Sequence, residues 1–204
     1  MRCGAVILCG GRSIRMGQDK AWLLIDGETM LERVVRTASG AVAGGPVVVV
    51  AAAGQGLPKL GPNIAVRRDA AEERGPLEGL RVGLSTLSDS ADAVFVTGCD
   101  APLLTGVFIE FLFNALGSAD AAVSADDHRL HPLAAVYRPN LLGNIEQLMR
   151  EGASSLHALL ESCKTARIDA EQRRRIDSDL RCLMNVNRHE DYQRAIRLLA
   201  ENGS

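Results

Sequence analysis

Aromatic residues are scarce. Phe, Trp and Tyr make up 3% of this 204-residue chain, too few for the stacking platforms that hold single-stranded bases. No sign of charge dominates either: 23 basic against 25 acidic side chains leave a formal net charge of −2, which excludes nucleic-acid binding through a broadly basic surface. Long hydrophobic runs are missing as well. The charge-free stretch 37–58 is broken by Gly40, Gly44, Gly45 and Pro46, so that only 47–53 is continuously apolar, far short of the roughly 20 residues a membrane-spanning helix needs. The five cysteines, Cys3, Cys9, Cys99, Cys163 and Cys182, contain no C-x-x-C pair and are odd in number. That argues against a disulfide framework and for buried thiols in a reducing compartment. The amino terminus lacks a full apolar core and a cleavage site, so the expected location is the cytoplasm, with no membrane contact.

What is present is an alternation of short apolar runs with longer segments of helical period. Strands are predicted over 5–8, 47–51, 64–66, 93–97, 121–124 and 133–137. Helices are predicted over 28–38, 77–87, 107–116 and 190–200, with two more helical stretches between 140 and 162. This is the signature of a mostly parallel sheet flanked by helices, a three-layer α/β/α Rossmann-like fold. No repeat or long linker divides the chain, so residues 1–204 are read as one domain. Arg173-Arg174-Arg175, surrounded by Asp169, Glu171, Asp177 and Asp179, reads as a solvated mixed-charge surface.

The first strand runs into Cys9-Gly10-Gly11-Arg12-Ser13-Ile14-Arg15-Met16-Gly17-Gln18-Asp19-Lys20. Ligands of open α/β sheets bind beyond the carboxyl ends of the strands, where this loop lies. Adjacent glycines leave backbone N–H groups open to phosphate oxygens, and the long cations supply neutralising charge. The loop is neither a Walker A sequence, since Gln18 follows Gly17, nor a G-x-G-x-x-G dinucleotide fingerprint. Asp100 follows the strand over 93–97 and precedes Ala101-Pro102. A carboxylate there suits a turn or cap, or equally a magnesium ion, which takes one or two carboxylates and completes its shell with water and phosphate. Pro76, within Arg74-Gly75-Pro76-Leu77-Glu78-Gly79-Leu80, fits the first turn of a helix. Asp126-Asp127-His128 with His131 raises a transition-metal reading, which the lack of a second ligand cluster counts against. Asn187 and Glu190 are spaced as a capping box at the last helix, so Asn187 is open to a structural or a functional role.

These segments together resemble the molybdenum cofactor guanylyltransferase family of nucleotidyltransferases, whose opening motif L-x-G-G-x-S-x-R-M-G-x-D-K is matched by Leu8, Gly10, Gly11, Ser13, Arg15, Met16, Gly17, Asp19 and Lys20. The resemblance implies that Leu8, Cys9, Gly10 and Gly11 hold the nucleotide and that Arg15 and Lys20 contact the triphosphate. It implies further that Asp100, in C-D-x-P, binds Mg²⁺. Gly75, Pro76, Leu77 and Gly79 match G-P-L-x-G-L beside the base, and Asp69 matches an aspartate that contacts the nucleoside. His131, of a His-Pro step, and Asn185 and Asn187, of an N-x-N motif, match positions on the side of the molybdopterin acceptor. Arg15, Lys20 and Asp100 are thus the expected catalytic set. GTP and molybdopterin, with or without molybdenum, are the implied partners, and molybdoenzymes or their chaperones are considered as recipients.

Three departures stand out. Leu130 replaces an acidic residue before His131, Arg188-His189 replaces Thr-Pro, and Val50-Ala51-Ala52-Ala53 lacks the family's Asn after the second strand. Related cytidylyl and sugar-phosphate nucleotidyltransferases share the R-M-G-x-x-K portion of the loop and are the alternative within the enzyme class. A nucleotide or cofactor carrier without turnover is the alternative outside it.

Overall fold

The computed structural model describes residues 1–10, 19–69, 75–126 and 129–202. The chain opens with β1 (Cys3–Leu8). A 3₁₀ turn at Lys20–Trp22 and a hairpin of β2 (Leu24–Ile25) and β3 (Glu28–Thr29) lead to α1 (Met30–Ala41). Then come β4 (Val47–Ala52), β5 (Ile64–Asp69), α2 (Gly75–Leu87), β6 (Ala93–Gly98) and α3 (Gly106–Ala115). The second half holds β7 (Ala121–Asp126), β8 (Arg129–Tyr137), α4 (Leu142–Arg150), α5 (Leu156–Ser162), β9 (Thr165–Ile168), α6 (Ala170–Arg174) and α7 (His189–Asn202).

Seven strands form one sheet in the order β5-β4-β1-β6-β8-β7-β9. β8 runs antiparallel to both its neighbours, while the other pairings in this sheet are parallel. The carboxyl ends of β1, β4, β6 and β7 and the start of β8 therefore share one edge. The predicted mostly parallel three-layer fold is borne out.

Alternation along each strand divides the core between the two faces of the sheet. Ala5, Ile7, Val47, Val49 and Phe95 pack with Leu31, Val34 and Val35 of α1 and with Phe108, Ile109 and Leu112 of α3. Val6, Val48, Val50, Val94 and Val96 meet Leu77, Leu80 and Leu84 of α2, with Ile145 of α4 and Leu159 of α5. Both faces are covered, which is why the strands read as unbroken apolar runs. α2 presses closely on β1: a Cβ at Gly83 would lie 2.6 Å from both γ-carbons of Val6, so only glycine fits there without displacement.

Two of the boundaries that differ from expectation have local reasons. The helix expected from residue 28 begins at Met30, because Thr29 accepts from the Glu32 N–H and Glu32 returns a bond to the Thr29 N–H, a capping box that ends the helix at Thr29. Residues 28 and 29 instead form a strand after Asp26-Gly27, both at positive φ (53° and 80°), the Asp-Gly signature of a tight hairpin. β8 is longer than predicted and holds a bulge: its register with β7 jumps from Val123↔Ala135 to Ser124↔His131. Pro132 lies in that irregularity, where a missing N–H is tolerated.

Candidate active site

Lys20 and Asp100 are 80 residues apart in sequence, yet Lys20 Nζ donates to Asp100 Oδ2 at 3.1 Å and to Asn187 Oδ1 at 2.7 Å. Each of the three is placed by its backbone. Asp19 caps the Lys20–Trp22 turn by accepting from the Ala21 N–H at 3.0 Å. Asp100 follows β6 directly, and a Cβ at Gly98 would lie 2.5 Å from Asp100 Oδ1, so a larger residue there would displace the carboxylate. The Val186 N–H donates to the Asp100 carbonyl at 2.8 Å. Val186 is itself buried with Leu23, Ile25, Met30 and Ala195, which leaves its neighbours Asn185 and Asn187 exposed. This small apolar cluster joins the β2–β3 hairpin to α7 and so holds the Lys20 and Asn187 segments against each other.

Asn187 does not form the expected capping box. Its side chain turns to Lys20, whereas Asp191 accepts from the backbone N–H groups of Asn187 and Arg188 at 2.9 and 2.8 Å. The capping box expected from Asn187 and Glu190 is replaced by a cap that reaches back from Asp191.

Around this centre the sequence-predicted residues divide. Leu8 packs against Gly79, where a Cβ would lie 3.2 Å from a Leu8 methyl. Leu77 is fully buried in the core. Gly75 adopts φ +70° and lies so close to the backbone of Ser154 that a Cβ would come within 2.7 Å of its carbonyl oxygen. Pro76 occupies the first turn of α2, as its fixed φ favours. These residues of the G-P-L-x-G-L motif therefore shape the α2–β1 packing next to the loop. Gly10 is exposed just beyond β1. Asp69 ends β5, in register with Ala52. Gly11 and Arg15 lie outside the described residues, as do Arg12, Ser13, Met16 and Gly17.

Sequence reasoning missed Gln55. Its Oε1 accepts from the Ala52 N–H at 3.1 Å, and its Nε2 donates to Asp19 Oδ2 at 2.8 Å. It therefore ties the end of β4 to the base of the Lys20 turn, on the strand end where the family's Asn is missing. The available signal was Gly54, at φ +72°, which turns the chain so that the next residue faces back to the sheet edge.

Cys9 and Cys99 are buried as expected, at adjacent positions beyond the paired Leu8 and Gly98. A hydrogen bond to Cys9, burial and nearby carboxylates all push the Cys99 thiol well above its usual range, so it stays protonated and is no nucleophile. No cysteine is in a disulfide.

His131 does not join Lys20 and Asp100. It lies in a neighbouring cleft on the same sheet edge, with its Nε2 2.6 Å from Asp126 Oδ2. Arg173 donates to the other oxygen of Asp126 and to the Ala125 carbonyl. Burial alone would raise the Asp126 carboxyl, but the bonds from His131 and Arg173 outweigh it and hold the group below its usual range. This corrects the reading of Arg173-Arg174-Arg175 as a solvated surface. Arg174 and Arg175 are exposed, but Arg173 is 1% exposed, because α6 turns this residue inward onto β7. Among the described residues, no group of three or more His, Cys, Asp or Glu is positioned to hold a metal; Asp127 and His128 lie outside those residues.

The pair Asp100 Oδ2 and Asn187 Oδ1 is a different matter, because both oxygens already converge on one cation, the Lys20 ammonium. An oxygen pair of this kind fits a hard divalent ion, which needs only one or two protein ligands when phosphates and water supply the rest.

Residues 5–168 match the MobA-like NTP transferase domain family. The chain is 37% identical over 196 residues to a probable molybdenum cofactor guanylyltransferase of Mycobacterium marinum, covering 94% of this chain and 92% of that one. It is 35% identical over 193 residues to another from Methanothermobacter thermautotrophicus, covering 92% and 95%. The fold superposes with a TM-score of 0.79 on the crystal structure of a molybdopterin-guanine dinucleotide biosynthesis protein A from Archaeoglobus fulgidus, at 20% identity over 97% of this chain and 99% of that one. With Lys20, the strand-end Asp100 and Asn187 of the N-x-N segment meeting at one edge of such a sheet, the chain belongs to the MobA-like NTP transferase family.

Proposed function

We propose that this protein transfers GMP from GTP to the terminal phosphate of molybdopterin, releasing pyrophosphate and forming the guanine dinucleotide form of the cofactor. Residues 1–204 would act as one nucleotidyltransferase unit in the cytoplasm; among the described residues no helix is long and apolar enough to cross a membrane. The observation that carries the reading is the Lys20 ammonium held between Asp100 and Asn187 at the carboxyl edge of the sheet, in a chain whose family and curated relatives are nucleotidyltransferases.

The attacking group is already a phosphate monoester, largely ionised near neutral pH, so no general base is required. An acceptor phosphate oxygen forms a bond to the α-phosphorus of GTP, and the bond from that phosphorus to the β-phosphate bridging oxygen breaks. Catalysis then rests on positioning and charge neutralisation. Asp100, with Asn187 beside it, would hold the divalent metal, assigned as Mg²⁺, which when bound offsets phosphate charge. Lys20 and Arg15 neutralise charge developing on the leaving pyrophosphate, and the Gly10-Gly11 backbone fixes the nucleotide. Asp69 and the start of α2 bound the nucleoside side. His131, Asn185 and Asn187 face the acceptor, and molybdoenzymes or their chaperones are the proposed recipients of the product.

The test is pyrophosphate release with GTP and CTP in parallel, given Mg²⁺ and molybdenum-loaded molybdopterin. Acceptor-dependent release with GTP supports the proposal. Release with CTP alone would move the chain to the cytidylyl branch, and GTP binding without release would make it a carrier.

A further inference from the structure

Nucleotidyl transfer leaves the thiols of Cys9 and Cys99 without a task, yet the fold places them as a pair. Leu8 of β1 stands opposite Gly98 of β6 in parallel register, so the next residue on each strand is a cysteine. The ladder runs one step past that pair: the Cys99 N–H donates to the Leu8 carbonyl at 3.0 Å, and the Cys9 N–H to the Val50 carbonyl at 2.8 Å. Alternation along a strand sends every second side chain to the same face. Cys9 accordingly joins Ala5 and Ile7 in one apolar cluster, and Cys99 joins Ala93 and Phe95 in that same cluster. A hydrogen bond links the two thiols. The remaining thiols have other partners: Cys3 the Met1 carbonyl, Cys163 the Thr165 hydroxyl and Cys182 the Asp177 carboxylate.

Neighbouring strands stand about 4.8 Å apart, inside the Cα separation of about 4.4–6.8 Å that a disulfide spans. Parallel Cβ atoms at that spacing are farther apart than the preferred value of about 3.8 Å, so a bridge here is strained and easily reduced. The sheet edge just beyond the pair is open, with Gly10 exposed and Asp100 partly so. What the sulfurs touch gives their oxidation a consequence. Gln55 Nε2 donates to Cys9 Sγ at 3.8 Å and to Asp19 Oδ2 at 2.8 Å, and Asp19 caps the turn that carries Lys20. An S–S bond of about 2.05 Å draws the two strand ends together and pulls Cys9 Sγ away from Gln55. The Lys20 turn, Asp100 and Gly10 then leave their arrangement.

We propose that Cys9 and Cys99 form a reversible disulfide under hydrogen peroxide, and that this bond weakens nucleotide binding. The Cys9 sulfur, which accepts from both Gln55 and Cys99, bonds to one peroxide oxygen. The O–O bond breaks, the other oxygen leaves as water with the Cys9 proton, and a sulfenic acid remains. The Cys99 sulfur then bonds to the Cys9 sulfur as the S–O bond breaks. Cys99 gives up its proton only in that step, to the departing hydroxyl, which leaves as a second water. Two thiols are oxidised and one peroxide is reduced. Both sulfurs are buried facing each other, so the sulfenic acid meets Cys99 before a second peroxide. Dithiothreitol restores both thiols by exchange.

The experiment treats the full chain with hydrogen peroxide, counts free thiols, maps the linked peptides by mass and titrates GTP before and after. Two thiols per chain should be lost, with the Cys9 peptide joined to the Cys99 peptide. GTP should bind at least tenfold more weakly, and dithiothreitol should restore both values. Cys99→Ala, or Cys99→Ser if the alanine variant fails to fold, should keep through peroxide the GTP affinity of its own untreated sample. A bridge between other cysteines, sulfinic acid at Cys9 without a bridge, or an unchanged thiol count overturns the proposal. Unchanged GTP affinity in the bridged protein, or an equal loss in the Cys99 variants, also overturns it. A mapped, reversible bridge in a protein that binds no GTP even when reduced upholds the bridge and refutes the proposed function instead.

Discussion

Replacing Lys20 with Met removes the ammonium that stands 3.1 Å from Asp100 Oδ2 and 2.7 Å from Asn187 Oδ1, and keeps an unbranched side chain in its place. In the nucleotide-free protein that ammonium competes with any divalent cation for the same two oxygens. Hydrogen bonds to charged groups contribute about 1.5–3 kcal/mol. The Lys20 and Asp100 side chains are 17% and 20% exposed, and solvent screening puts the competing interaction near the lower figure, about 1.5 kcal/mol. A cation that no longer displaces the ammonium should then bind about tenfold more tightly, since 1.4 kcal/mol corresponds to a factor of ten. The assay is Mn²⁺ titration followed by electron paramagnetic resonance, without nucleotide. Lys20→Met should bind Mn²⁺ about tenfold more tightly than wild type, and adding Asp100→Asn should abolish the gain. With GTP present the order should reverse, because Lys20 is then released to the phosphates and its loss weakens the complex. Equal Mn²⁺ affinities for nucleotide-free wild type and Lys20→Met would refute the idea that Lys20 holds the cation position.

Asp100→Ala should lower kcat by about 10²-fold or more while leaving the far-ultraviolet circular dichroism unchanged; near-normal turnover would remove Asp100 from the mechanism. Gln55→Ala frees Asp19 from its 2.8 Å partner and should raise the KM for GTP about tenfold, as loss of one hydrogen bond to a charged group implies, a change that steady-state kinetics would detect. Gly83→Ala drives a methyl to 2.6 Å from Val6 and should destabilise by about 1–3 kcal/mol, visible as a lower midpoint in urea. At acid pH, hydrogen bonds from Arg2 hold the Asp92 carboxyl at about 2 against an ordinary 3.8. A carboxyl depressed on folding stabilises above its unfolded value and loses that contribution as pH falls through the folded one. Arg2→Gln should therefore flatten the pH dependence of stability between 3.8 and about 2, an effect that added salt weakens because the pair is exposed.

The fold was legible because the strands of a doubly covered parallel sheet are unbroken apolar runs, and Val47 to Val50 or Ala93 to Val96 can hardly be anything else. β9 escaped notice because Thr165–Ile168 is a short edge strand of mixed polarity, and the β2–β3 hairpin because two-residue strands have no periodicity to detect. Its Asp26-Gly27 turn was the readable sign. In the site, Lys20, Asp100 and Asn187 were visible as separate motifs. Their meeting depends on Val186 burying itself with Leu23 and Ile25, a tertiary event with no local signature. Arg173 was misread for the same reason. A triple-arginine run looks solvated until α6 places its first arginine against Asp126.

The central claim is tested most directly by incubating the protein with GTP, Mg²⁺ and molybdenum-loaded molybdopterin and identifying the product by mass. The account predicts a guanine dinucleotide cofactor formed in step with one pyrophosphate per transfer and lost in Asp100→Ala. GTP binding with no dinucleotide, or a cytosine dinucleotide made only from CTP, would contradict it.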